Sequence, residues 1–419
     1  MIKEIQVPLL DLVVCLSEAI DLISPEVVNH HKQVAYIAFS IGEELGLSIE
    51  EQNELVLAGV LHDIGALSLK ERIETLQFEI ANPHHHAELG YLLLRVFKPF
   101  SSIAPLVRFH HVQWNKGEGS NFRGKPVSRS SHILHLADRV AVLTRSGEEV
   151  LVQVKGICEK IEKNSGKMFA PELVESFMSL SSKEYFWLDI VSPSISSVLS
   201  RRVISPTVEL NLEGLLSIGK IFSQIIDFRS HFTATHSSGV ALSAEYLARG
   251  LGFSERECQM MRLAGYLHDL GKLAVPIEIL EKPAKLTVEE FNIIKSHTFH
   301  TYRVLENIEE LEIINTWAAF HHERLDGGGY PFHLKGEDLS LGSRIMAVAD
   351  VFTAITEDRP YRKGMDTQIA LKVIQQMADN SALDPAIVLE LKRHFADINS
   401  ARISVQKIAT EEYQMFGED

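Results

Sequence analysis

The residues that could do chemistry are histidines and aspartates at a recurring spacing. The run Leu267-His268-Asp269-Leu270-Gly271-Lys272 joins an imidazole ligand to a hard carboxylate that can bridge two cations. Apolar Ala264, Tyr266 and Leu267 lead into it, so the pair is expected to end a buried helix. Gly271 reads as a turn, and Lys272 as a cation coming back toward bound metal. The same half holds His236, His297, His321, His322 and Asp350. Five imidazoles and two carboxylates suit two borderline divalent ions, iron or manganese favoured. Metal binding lowers the pKa of a water, which makes a nucleophile near neutral pH.

These residues recur. Ala58-Gly59-Val60-Leu61-His62-Asp63-Ile64-Gly65 returns as Ala264-Gly265-Tyr266-Leu267-His268-Asp269-Leu270-Gly271, 206 residues on (62 to 268). The same offset maps His30 onto His236, Leu9-Leu10 onto Leu215-Leu216 and Asp21 onto Asp227. Later pairs drift by a few residues, as loops permit: His86 with His297, His110-His111 with His321-His322, Asp138 with Asp350. Five such pairs take ten of the nineteen histidines, so the chain is read as a duplication.

Helices must position these ligands. Val34 to Leu45, Ile218 to Phe228, Val240 to Leu251 and Ile369 to Met377 carry apolar residues at helical spacing, and no alternating run is long enough for a sheet. The expected fold is all-α, two tandem duplicated domains over 1–200 and 201–419, with Ser-rich 192–206 as the connection. A hydrophobic content of 45% fits a globular chain. A net charge of −15 argues against a nucleic-acid or anionic-membrane binder. Cys15, Cys158 and Cys258 make no disulfide framework, and a reducing cytoplasm is expected, with no membrane span and no signal pattern.

The second half resembles the HD-GYP phosphodiesterases from about Asn211 to Phe395. The resemblance rests on His268-Asp269-Leu270-Gly271-Lys272, on His321-His322-Glu323-Arg324-Leu325-Asp326-Gly327-Gly328-Gly329-Tyr330-Pro331, and on Ala349-Asp350-Val351-Phe352 followed by Asp358-Arg359-Pro360-Tyr361-Arg362. It implies hydrolysis of a 3′,5′-cyclic dinucleotide, 3′3′-cGAMP or c-di-GMP, at a centre of two or three metal ions. The plainer HD-type half in front resembles tandem bacterial phosphodiesterases of 3′3′-cGAMP. On this pattern Asp269 and Lys272 are catalytic, and Arg324, Tyr330, Arg359 and Arg362 bind substrate. Arginine forks suit phosphate, and they make a basic pocket on an acidic surface.

Departures from the pattern shape the expectation. Phe232 stands where three-metal members carry Glu, so two ions are expected in the second half. Thr301 and Thr353 replace a usual Gly and Asp and bear on the substrate pocket. The first half keeps Glu26, His30, His62, Asp63, His86, His110, His111 and Asp138 as a second metal site. There His86 is preferred over His84 and His85 by its four-residue step to Gly90. Ala66 replaces the lysine and Trp114-Asn115-Lys116-Gly117 replaces the GYP motif, so ring opening is expected only in the second half. Two other readings stand beside this one: a first half acting as a phosphomonoesterase on nucleotides, and a regulatory or docking protein with structural metal sites.

Overall fold

The structure is a computed structural model that describes residues 5–21, 28–66, 69–80, 82–145, 147–202, 208–228, 235–358 and 363–417. Glu26, Phe232, Arg359 and Arg362 lie outside them. The chain is all-α as expected. Strands among the described residues are two-residue ladders: β1 (Val7–Pro8), β2 (Asn121–Phe122), β3 (Lys125–Pro126) and β4 (Glu209–Leu210). β1 pairs with β4 and β2 with β3, both antiparallel. Two compact units emerge, Leu9–Val208 and Glu209–Asp419, the second including Met1–Pro8.

The first unit runs α1 (Leu9–Asp21), α2 (His30–Glu44), α3 (Ile49–Leu61), α4 (Leu69–Thr75), α5 (His84–Leu94), α6 (Ala104–Arg108) and α7 (Arg129–Leu143). It closes with α8 (Val150–Lys163), α9 (Pro171–Ser181), α10 (Glu184–Ile190) and α11 (Ile195–Arg202). The second runs α12 (Leu212–Asp227), α13 (His236–Gly250), α14 (Glu255–Leu267), α15 (Ile277–Leu280), α16 (Val288–Glu306) and α17 (Glu312–Ala319). It closes with α18 (Leu341–Thr356), α19 (Thr367–Asp379), α20 (Pro385–Arg393) and α21 (Phe395–Gly417).

The duplication is physical as well as sequential. Ser48 and Glu51 form a capping box that starts α3, and Ser254 and Glu257 form its counterpart on α14. Each box fixes where a 13-residue helix begins, and therefore where it ends: at His62 and at His268. Gly59 and Gly265 let these helices cross α2 and α13 closely. A Cβ on Gly265 would lie 2.4 Å from the Ala241 Cα, and one on Gly59 would lie 2.5 Å from the Ala35 Cα. The crossing brings the His236 and His268 rings to 5.5 Å, and the His30 and His62 rings to 5.3 Å.

The connection is shorter than the serines suggest. Ile195–Arg202 is helical, with Ile195 and Leu199 fully buried, and it packs against α2. Two apolar residues at an i,i+4 step outweigh the poor helix propensity of the serines around them.

Candidate metal centre

Helix ends deliver the ligands of the second unit. His236 opens α13, His268 caps the C-terminus of α14, His297 lies within α16, His321 and His322 follow α17, and Asp350 lies within α18. All but His322 are deeply buried. His268 Nε2 lies 3.1 Å from Asp269 Oδ2, while His297 Nε2 lies 3.4 Å and His321 Nε2 4.0 Å from Asp269 Oδ1. One oxygen of Asp269 therefore faces each group. Ligand atoms of His236, His268 and Asp350 fall within 4.8 Å of one another, and so do those of His297, His321 and His322.

The tautomers follow from the helix ends. Nδ1 of His268, His297 and His321 donates to the carbonyls of Gly265, Ile294 and Ala318 at 2.8, 2.6 and 2.6 Å. A carbonyl only accepts, so the proton sits on Nδ1 and the Nε2 lone pair points inward. His297 Nε2 then faces His321 Nε2 at 3.4 Å, acceptor against acceptor. His268 Nε2 and Asp269 Oδ1 are buried without a hydrogen-bond partner among the described residues. Inward lone pairs, an orphaned carboxylate oxygen and a borderline N/O donor set are what a divalent cation requires, so the residues fit the metal.

Electrostatics agree. Burial pulls His297 and His322 down to about 3 and His321 well below its ordinary value, which keeps all three neutral and ligand-ready. Burial opposes ionisation of Asp269, yet His268 and the Lys272 ammonium beside it hold its carboxyl well below the usual range. Burial likewise pulls His236 down, but the Glu357 and Asp350 carboxylates outweigh it and push the imidazole up to about 10. Glu357 accepts from His236 Nδ1 at 3.1 Å while His236 Nε2 lies 3.1 Å from Asp350. With a metal in place of the Nε2 proton, Glu357 would complete a carboxylate–histidine–metal relay. Sequence reasoning missed Glu357, although it adjoins the quoted Asp358-Arg359 motif.

Around the centre, Lys272 Nζ lies 2.5 Å from Asp269 Oδ2. Tyr330 packs its ring 4.9 Å from that of His322. Arg324 is ion-paired with Asp326 at 2.7 Å, within its own loop. Glu323 braces the same loop, accepting from the Phe332 and Leu334 amides at 2.7 and 3.1 Å. Gly271 serves close approach rather than a turn: its backbone is 3₁₀-helical, and a Cβ there would lie 1.9 Å from the His297 carbonyl oxygen. Thr301 occupies that junction. Its hydroxyl accepts from the Gly271 amide at 2.9 Å and donates to the His268 carbonyl at 3.0 Å, tying the His-Asp turn to α16. Thr353 is buried in α18.

The first unit repeats the arrangement with changes. Asp63 belongs to two ligand groups, one with His86, His110 and His111 and one with His30 and His62. His62 and His110 donate from Nδ1 to Gly59 and Val107. The inward atoms His30 Nε2, His62 Nε2, His110 Nε2, Asp63 Oδ1 and Asp138 Oδ1 are buried without hydrogen-bond partners among the described residues. Geometry selects His86, whose Nε2 lies 3.2 Å from Asp63 Oδ1. His84 instead packs on Phe122, and His85 lies 3.9 Å from Glu71. Asp138 differs from Asp350: the buried Arg139 guanidinium takes its Oδ2 at 2.6 Å. A cavity of about 250 Å³ beside it is lined by His111, Gln113, His135, Arg139, Asn164 and Lys167, among others.

Comparison with known proteins follows this geometry. Residues 27–143 and 220–387 each match a family profile described as HD domain. The 3′3′-cGAMP-specific phosphodiesterase 1 of Vibrio cholerae serotype O1 is 32% identical over 89% of this chain and 88% of its own length. Phosphodiesterase 3 of the same organism and specificity is 27% identical, over 92% and 94%. A cyclic di-GMP phosphodiesterase of Pseudomonas aeruginosa is 39% identical over 44% of this chain and 43% of its own. The crystal structure of a cyclic GMP-AMP specific phosphodiesterase of V. cholerae superposes with a TM-score of 0.66 at 25% identity, covering 93% of this chain and 98% of that one.

Proposed function

This chain belongs to the HD-GYP family of metal-dependent cyclic dinucleotide phosphodiesterases, in the tandem HD arrangement, and we propose that its second unit opens 3′3′-cGAMP to the linear dinucleotide. The observation that carries this is Asp269, whose two oxygens face His268 on one side and His297 on the other, with Lys272 at 2.5 Å; the Tyr330 ring packs on the neighbouring His322. The choice of 3′3′-cGAMP over c-di-GMP rests on coverage. The relatives matched across both units carry the first specificity, and the Pseudomonas relative matched over less than half the chain carries the second.

Two divalent cations, iron or manganese on this donor set, supply Lewis acidity at the phosphate and lower the pKa of water. The protein's part is to hold the ligands and receive charge. His268, His297 and His321 are pre-oriented by their Nδ1 bonds, and Glu357 orients His236. Lys272 offsets negative charge developing on the phosphate oxygens beside Asp269. The Tyr330 face offers a base a stacking surface, and by the family pattern Arg359 and Arg362, outside the described residues, bind substrate. Arg324 contributes by bracing the loop through Asp326.

Two ions are assigned to the second unit because Phe232 stands where the family pattern has a carboxylate; the first unit, with Glu26, is assigned a second metal site with room for up to three ions. Anomalous scattering with a third ion beside His236 would overturn that count. The buried thiols Cys15, Cys158 and Cys258 accord with a reducing cytoplasm. No helix among the described residues is long and apolar enough to cross a membrane. The test of function is turnover of purified protein with each cyclic dinucleotide, the products separated by chromatography. Preferential loss of 3′3′-cGAMP with appearance of a linear dinucleotide is expected. Failure to turn over any of them, with metal bound, would favour a docking role.

A further inference from the structure

The two units place their cations differently. Lys272 stands beside Asp269 in the second, and its positional counterpart in the first is Ala66. Six residues beyond Ala66, on α4, the first unit has Arg72; six residues beyond Lys272 the second has the exposed Glu278. The swap is reciprocal: lysine and glutamate in one unit, alanine and arginine in the other.

Arg72 is 2% exposed, among the largest fully buried side chains of the protein. None of Nε, Nη1 and Nη2 has a hydrogen-bond partner among the described residues. A guanidinium offers five donors and accepts nothing, so burying it without acceptors is costly unless an anion completes it. Burial drags it down to about 10 against the carboxylate charges of Asp63, Asp21 and Glu71, and its helix is tied to the cluster, since Arg139 beside Asp138 donates to the carbonyl of Thr75, three residues on from Arg72. The other buried arginine beside that cluster, Arg139, is already satisfied by Asp138 and by the Thr75 and Gln77 carbonyls.

We infer that Arg72 is the oxyanion-binding cation of the first unit, seating a phosphoryl group against the His/Asp cluster as Lys272 does in the second. Its ligand is a tetrahedral phosphate, free or as the end of a phosphomonoester; the fork of Arg72 matches two of its oxygens. This stands whichever dinucleotide the second unit opens.

The test is hydrogen exchange over residues 59–75 of the full-length, metal-loaded protein, titrated with orthophosphate in one arm and adenosine 5′-monophosphate in the other. The second unit is the same in all variants, and the reading is local to the first. Wild type should gain protection, and Arg72→Met should need at least tenfold more of the ligand while its metal content by plasma emission stays unchanged. Orthophosphate alone giving protection identifies the free ion, and the monophosphate binding more tightly identifies the ester; both support the assignment. Protection at wild-type concentrations in Arg72→Met, with both ligands, overturns it. If Arg72→Met does not fold, Arg72→Lys decides: a weaker response supports the fork, and an unchanged one overturns it.

Discussion

Replacing Thr301 by valine keeps the shape of the side chain and deletes two hydrogen bonds. The hydroxyl accepts from Gly271 N–H and donates to the His268 carbonyl, and it is wholly buried. Water cannot reach the groups left behind. Each orphaned buried group costs about 1–3 kcal/mol, so the pair should cost roughly 2–6 kcal/mol. The second unit, 209–419, falls in the size range where 1 kcal/mol lowers Tm by about 2–4 °C, which predicts a drop of about 4–24 °C in its unfolding. Thr301→Ser keeps both bonds and loses one methyl, about 1 kcal/mol. Calorimetry of both variants, with hydrogen exchange over residues 264–275, separates the effects. The valine variant should lose protection at the His-Asp turn and the serine variant should not. If valine and serine shift Tm equally, or valine leaves the turn protected, Thr301 does not hold the metal ligands in place.

Other outcomes follow from the same geometry. Asp269→Ala should abolish ring opening, by at least about 10³-fold, and lower metal content while circular dichroism shows the helices intact; full activity would sink the shared-carboxylate assignment. Glu357→Gln removes the charge that orients His236 and should weaken metal retention about 10–100-fold in a chelator titration; unchanged retention would make Glu357 incidental. His62→Ala with Asp63→Ala should spare ring opening, whereas His268→Ala with Asp269→Ala should remove it. Loss of ring opening in the first pair, with the second unit folded and metal-loaded, would refute the division of labour.

Much of this was legible in the sequence because the duplication supplies its own control. A constant 206-residue offset picks out His30, His62, His236 and His268 without any structure. The periodicity that makes α2 and α13 helices is plain in their apolar spacing. What escaped are groups acting through the tertiary fold. Thr301 reads as a mere departure from glycine until α16 is seen against the His-Asp turn. Glu357 is one acidic residue among fifty-six until α18 carries it back to His236. Arg72 carries no signal in sequence, since a lone arginine on an amphipathic helix is normally solvated. The serines of 192–206 misled in the opposite direction, because Ile195 and Leu199 bury there despite them.

Five of the inward-facing imidazoles, those of His62, His110, His268, His297 and His321, take their aim from a carbonyl three residues upstream in their own chain: Gly59, Val107, Gly265, Ile294 and Ala318. The aiming device is thus self-contained, and it travels with the helix end that carries it. Segments between ligands can lengthen without disturbing it, which accounts for the halves slipping from 206 residues apart at His62 to 212 at Asp138 while the cluster stays assembled. An insertion between α4 and α5, or between α15 and α16, where most of that slippage lies, should therefore be absorbed. A single residue inserted between Gly265 and His268 would turn that imidazole about 100° around the helix axis and empty its place. Tolerance to length in this protein is set by three-residue windows rather than by the size of its loops.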